Sequence, residues 1–354
     1  MSASLFSRFG KISVNLSSNI GKCIECQRQH FIRTLHVTSR ISCHNADTFP
    51  PTDPPTRDIE EAFLDERVQT ILHQITGLDI KKVMHPRQLP MKPPKYLLLT
   101  DEQLKEIQDD ATARAAEKLQ MPPVLKACEP IDEILSQDPD LKGLNKHNIL
   151  FTDITFGISD RDRYILVREP GGTLRKASWE ERQRCLQIYF PHDGRKLRMP
   201  KMFEEQNLED VLNEERYEYV LDRASIQFEP DDPLYIRVIG RTYTHIDTNK
   251  KYDVLRSTRH FGGMAFYLAW HRKVDYLMAD MLQRDFFKDA VQLVHLHIIL
   301  HPDSETANDV IYQKVKSPMD LIKTYIAKDA PHKGELELAL QSYEEEHSQD
   351  IESQ

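Results

Sequence analysis

From residue 207 to residue 346, apolar side chains recur at helical spacing with only short turn signals between the runs. Consecutive helices joined by short loops must bury their apolar faces on one another, as stacked antiparallel pairs do. The spacing predicts helices over 207–226, 233–246, 258–271, 273–300, 318–327 and 333–346. Turns such as Pro230-Asp231-Asp232-Pro233 and Pro302-Asp303 separate them. No consensus of roughly 34 residues recurs, so the array is repeat-like without a recognisable repeat.

Upstream, Ile59, Phe63, Val68, Ile71, Leu72 and Ile75 make one helical face over 58–76, with Gly77 as its stop. Four prolines between His85 and Pro94 predict an extended connection. Thr100 with Gln103 forms a capping box that opens a helix to about Gln120, ended by Pro122-Pro123. Branched and aromatic residues concentrate in 149–156 and 164–167, and Gly171-Gly172 offers a turn, so 148–176 reads as an antiparallel hairpin or three-stranded meander. Ser178 with Glu181 caps a further helix over Trp179–Tyr189. The expected fold class is predominantly α (α+β), a helical-repeat-like array of antiparallel helices with one small antiparallel β-hairpin or meander.

The organisation expected along the chain begins with a leader over 1–42. A Pro-rich linker over 43–99 carries one helix (58–76), and a helical segment follows over 100–147. Next come the β element over 148–176, the helical array over 177–346 and an acidic disordered tail over 347–354. Residues 1–46 hold Arg8, Lys11, Lys22, Arg28, Arg33 and Arg40 against the single acid Glu25, while the whole chain carries −9. A basic, Ser-rich, acid-poor leader without a continuous apolar core has the composition of a mitochondrial transit peptide. Arg33-Thr-Leu35-His-Val-Thr38 resembles a matrix-processing site, which puts the mature start near Ser42 or Cys43 and the protein in the mitochondrial matrix. The alternative reading of this stretch is a basic arm that binds nucleic acid. No run approaches the roughly 18 apolar residues a membrane span needs. Five scattered cysteines suit a reducing compartment better than a disulfide framework.

Motifs that carry chemistry are weak. Cys23-x-x-Cys26 has zinc-like spacing but lies inside the leader, and Cys128 and Cys185 are isolated, as half-buried small apolar residues are. His297 and His301 stand one helical turn apart, but Ile298 replaces the glutamate of HExxH and no third ligand follows, so they read as packed histidines. His301-Pro302-Asp303 matches a chaperone J-domain tripeptide; its preceding helix lacks the basic face such domains use, so it reads as a helix-ending turn. Glycine is scarce, at 12 residues, and neither Gly171-Gly172 nor Gly262-Gly263 has a phosphate-cradling context. Gly262-Gly263 reads instead as a close helix crossing. We expect no catalytic residues, no metal, no cofactor and no small-molecule substrate.

Charge is blocked along the body. Residues 161–201 hold eleven Lys/Arg against five acids, 202–235 two against eleven, and 237–273 eight against two. Basic blocks in an acidic protein can meet RNA phosphates while the acidic parts face other proteins; ordinary solvated helix faces give the same pattern. The candidate RNA contacts are Arg161, Arg163, Arg168, Arg175, Lys176, Arg195, Lys196, Arg198, Lys250, Lys251, Arg256 and Arg259.

The run Val167–Arg182 (VREPGGTLRKASWEER) and IYFP at 188–191 resemble the mitochondrial small-ribosomal-subunit protein 22 family. So do ITGLDIKK at 75–82, MPPVL at 121–125, FTDI at 151–154, QFEP at 227–230 and KYDVLRSTRHFGGM at 251–264. The likeness extends with gaps from about Ile59 to Tyr343. It implies a non-enzymatic constituent of the mitochondrial ribosome, with small-subunit mitochondrial rRNA and neighbouring mitochondrial ribosomal proteins as partners. Two other readings stay open: a free matrix helical-repeat factor for mitochondrial RNA processing or stability, and a matrix enzyme.

Overall fold

The computed structural model describes residues 58–84, 96–143, 146–311 and 317–352. The leader with its Cys23-x-x-Cys26, the linker up to Arg57 and the whole proline segment from His85 to Pro94 lie outside the described residues. The described chain is mostly helical with one small antiparallel sheet, as the periodicities predict. It divides into a sheet unit over 132–177 and a helical unit made of 58–131 and 178–352.

In the sheet unit, β1 (Ile134–Gln137), β2 (Ile149–Thr152), β3 (Ile165–Arg168) and β4 (Thr173–Lys176) run antiparallel in the order β1-β4-β3-β2. Ile165 and Val167 alternate inward on β3 and are buried. Gly172, at φ +86°, closes the β3–β4 turn by donating to the Glu169 carbonyl at 3.0 Å. A Cβ there would stand 1.9 Å from the Asp138 carbonyl oxygen, so the turn also seats β1. Strand β1 corrects the expectation of helix over 100–147. All four of its residues are exposed, so no inward–outward alternation marked it in the sequence.

In the helical unit the helices are α1 (Ile59–Leu64), α2 (Glu66–Thr76), α3 (Ile80–Val83), α4 (Asp101–Lys118), α5 (Trp179–Tyr189), α6 (Glu205–Asn213) and α7 (Tyr217–Gln227). They continue with α8 (Pro233–Asn249), α9 (Phe261–Trp270), α10 (Asp275–Gln283), α11 (Phe287–Leu300), α12 (Glu305–Ile311), α13 (Pro318–Lys328) and α14 (Lys333–Glu352). Both capping boxes form, opening α4 and α5 where expected. Helix α9 is apolar almost all round, and Phe261, Met264, Phe266 and Leu268 are buried at the centre of the core. Its two glycines admit close neighbours. A Cβ on Gly262 would meet Met121 Sδ at 2.1 Å, and one on Gly263 would meet the Tyr243 hydroxyl of α8 at 3.1 Å.

Three helices expected as single are each two. The run 207–226 breaks at Glu215 (φ 57°) and the run 273–300 at Asp285 (φ 62°), both in the left-handed region without glycine. The run 58–76 breaks at Asp65, whose carboxylate caps α2 through the Arg67 amide at 3.0 Å. The segment expected as a disordered tail is helical as far as Glu352. Among the described residues, no helix is long and apolar enough to cross a membrane.

Candidate nucleic-acid interface

The candidate cations do not share one environment. In the sheet unit, Arg163 is buried, and its guanidinium reaches the Asp160 carboxylate at 3.2 Å and the carbonyls of Thr155 at 2.8 Å and Asp153 at 3.3 Å. Arg175 bonds Glu169 at 2.8 Å, and Lys176 pairs with Glu133 at 2.5 Å. Arg168 lies over the Phe151 ring at 5.3 Å, and Arg161 is exposed.

In the helical unit, Arg256 is buried between the rings of Phe286 (4.2 Å) and Phe261 (5.1 Å), with Asp289 at 3.3 Å and Asp280 at 4.0 Å. Burial pulls its pKa down while Asp289 and Asp280 hold it up, and burial raises that of Asp289. Arg163 and Arg256 therefore serve the interior, and the expectation that they face RNA is corrected: Arg163 is held by a carboxylate and two carbonyls, and Arg256 by two rings and its neighbouring carboxylates. Arg259 joins buried His260 on the Asp222 carboxylate at 2.7 and 2.9 Å. Burial lowers the pKa of His260, against the opposing pull of Asp222. Lys250 pairs with Glu335 at 2.9 Å and Lys251 with Glu215 at 3.1 Å, both half-exposed. Such surface pairs are worth about 0–1 kcal/mol, so a phosphate can displace either partner at little cost.

The segment after α5 differs. Residues 191–200 run without regular structure, yet two glutamines fix them. Gln187 donates to the carbonyls of His192 (3.2 Å) and Arg195 (3.0 Å) and accepts from the His192 amide at 3.2 Å. Gln227 grips the Lys196 backbone from both sides, accepting its N–H and donating to its carbonyl, each at 2.9 Å. Arg195 is turned inward, to Glu229 at 2.7 Å and the Ile226 carbonyl at 3.4 Å. Lys196, Arg198 and Lys201 remain exposed around that anchored backbone. Sequence reasoning named Lys196 and Arg198 but missed Gln187 and Gln227. Gln227 begins QFEP, yet its spacing carries no signal of a loop clamp.

The KYDVLRSTRHFGGM string lies against ITGLDIKK. Lys82 Nζ donates to the carbonyls of Asp253 (2.9 Å), Val254 (3.1 Å) and Arg256 (2.6 Å), and burial lowers its pKa. The Ser257 amide donates to the Thr76 carbonyl at 3.0 Å, and the Ser257 hydroxyl accepts from the Asp79 amide at 3.2 Å. His297 and His301 are buried, and His301 Nε2 donates to the Ala269 carbonyl at 2.8 Å. Cys185 is buried and Cys128 half-buried. Among the described residues, no three potential ligands gather into a metal site.

Residues 61–302 match the family described as mitochondrial 28S ribosomal protein S22. A mouse protein named small ribosomal subunit protein mS22 is 47% identical over 80% of this chain and 79% of its own length. A bovine protein of the same name is 46% identical over the same shares.

Proposed function

Because the chain belongs to the mitochondrial 28S ribosomal protein S22 family, we infer that it is a structural constituent of the mitochondrial small ribosomal subunit, working in the matrix. Its partners there are small-subunit rRNA and neighbouring ribosomal proteins.

The role is architectural rather than catalytic. Among the described residues, several groups of the kind that do chemistry hold helices together. Asp222 is shared by Arg259 and His260, and buried Asp275 accepts from the Tyr325 hydroxyl at 2.9 Å. In a chain of charge −9, rRNA is met by cations aimed from a fixed backbone rather than by a diffuse positive field. The clamped loop supplies these in Lys196, Arg198 and Lys201, and the grip of Gln227 on Lys196 is the observation that carries this reading. Arg168, Lys176, Lys250 and Lys251 form a second set, half-exposed or loosely paired.

The test replaces Lys196 and Arg198 together with glutamate and follows the full chain through a gradient of gently lysed mitochondria. A shift from the small-subunit rRNA peak towards the free pool is expected. Unchanged co-migration removes both residues from the interface.

A further inference from the structure

Helix α4 carries one apolar stripe in two halves. At helical spacing Leu104, Ile107, Ala111, Ala115 and the C-cap Leu119 fall within about 120° of one another. The C-terminal half is covered by the protein itself. Ala115 and Leu119 are buried, Ala111 is half-buried, and Lys118 Nζ lies 3.4 Å from Met84 Sδ. The N-terminal half of the same stripe is open, with Leu104 and Ile107 each 46% exposed. The stretch before it adds Tyr96 at 91%, Leu97 at 68% and Leu98 at 104%. Every residue from Asp101 to Asp110 is exposed, and the Thr100–Gln103 capping box closes the first turn. Helices gain most of their stability by packing an apolar face, so this half of the stripe is built to be covered.

Charge selects what covers it. From Asp101 to Asp110 the helix carries five carboxylates against the single Lys105: Asp101 and Asp110 flank the open half, Asp110 also pairing with Arg114, while Glu102, Glu106 and Asp109 lie round the helix from it. Five carboxylates repel RNA phosphates, and a second copy of this face would bring like charges together. We propose that Tyr96–Asp110 docks a basic, apolar segment of a neighbouring protein in the subunit. Leu98, Leu104 and Ile107 seat its apolar side chains, and the flanking carboxylates pair with its lysines or arginines. The proposal rests on the ribosomal reading, and its partner-facing surface is distinct from the rRNA-facing loop.

The test places a photo-crosslinking residue at Leu98 or Leu104 of the full chain, in mitochondrial small subunits purified on a gradient. The expected product is a ribonuclease-resistant adduct with one protein, joined at a peptide rich in Lys and Arg. Adding Ile107→Glu, exposed in the free chain and so neutral to its folding, lowers the yield about tenfold, since a carboxylate is then pressed onto an apolar partner. An RNA adduct, an adduct with a second copy, an acidic partner peptide or no adduct in a subunit that contains the chain overturns the docking proposal and leaves the ribosomal reading standing. A chain that never co-migrates with the subunit overturns both.

Discussion

Acidification from about pH 7.5 to about pH 5 should cost the fold about 2 kcal/mol through His297 alone. Its ring is 2% exposed, and its Nδ1 is buried without a hydrogen-bond partner among the described residues. Burial is the largest cause that lowers its pKa to about 4 from the ordinary 6.5. Around it, His301 at the C-cap of its helix lies 5.0 Å away and Tyr325 of α13 stands edge-on at 5.2 Å. His301 and Arg272 push the same way as burial, while Asp329 and Asp303 oppose it. The folded state therefore binds the proton less readily than the unfolded chain. Stability is whole above pH 6.5 and is lost as pH falls from there towards 4, reaching a ceiling of about 3 kcal/mol below both values. His260, His271, His295 and His301 shift in the same direction, so the wild type loses more than this one share. Buried Asp247 and half-buried Asp289 shift up and act oppositely. A His297→Leu variant keeps the volume filled and removes one titration, so the difference between variant and wild type isolates it. Urea midpoints for both chains at the two pH values supply that difference. Equal losses in both would show that the His297 proton finds an acceptor or water in the folded state, refuting the dry-core account.

Gly172→Ala should disrupt the β1–β4 pairing. Positive φ costs an L-residue about 1–2 kcal/mol, and the new methyl would overlap the Asp138 carbonyl. Early loss of amide protection at Asp138, whose N–H donates to the Gly172 carbonyl at 3.1 Å, would show it, with Gly171→Ala as the silent control because nothing lies within 4 Å there. Gln227→Ala removes both bonds to the Lys196 backbone, for about 1–2 kcal/mol of local stability. The Lys196 amide should then exchange about tenfold faster while the core amides of α9 keep their protection.

Features that declare themselves locally were legible in the sequence. Thr100/Gln103 and Ser178/Glu181 satisfy orphan amides within four residues, so their helices begin where the pattern says. The breaks at Glu215 and Asp285 were not legible, because each follows an uninterrupted apolar period and neither residue advertises a left-handed backbone. Strand β1 was missed because its ladder with β4 pairs residues almost forty positions apart. At the candidate interface, Lys196 and Arg198 followed from charge, but their anchoring did not. Gln187 and Gln227 act through backbone bonds that composition cannot reveal. Arg163 and Arg256 were misread because a basic block shows charge and not direction. Each is held inward by carboxylates or carbonyls from its own surroundings.

That inward use of charge explains how an acidic chain can sit beside RNA. The alternating blocks are complementary to one another within the helical unit. The acidic stretch 202–235 meets the basic stretch after it through Glu209–Arg241 (2.5 Å), Glu215–Lys251 (3.1 Å) and Asp222–Arg259 (2.7 Å). It meets the basic stretch before it through Glu229–Arg195. Much of the blocking seen in the sequence is therefore ion pairing folded back on itself, with bridges that join α6, α7 and the turn after α7 to their neighbours. Among the described residues, much of the basic charge is thus spent within the protein. An outward cation is then most useful where it is held in place, since a loose lysine among −9 of net charge would find a carboxylate of its own first. The two-glutamine clamp on 192–196 meets that requirement. It spends neutral amides rather than cations on fixing the backbone, and so leaves Lys196 and Arg198 directed at solvent.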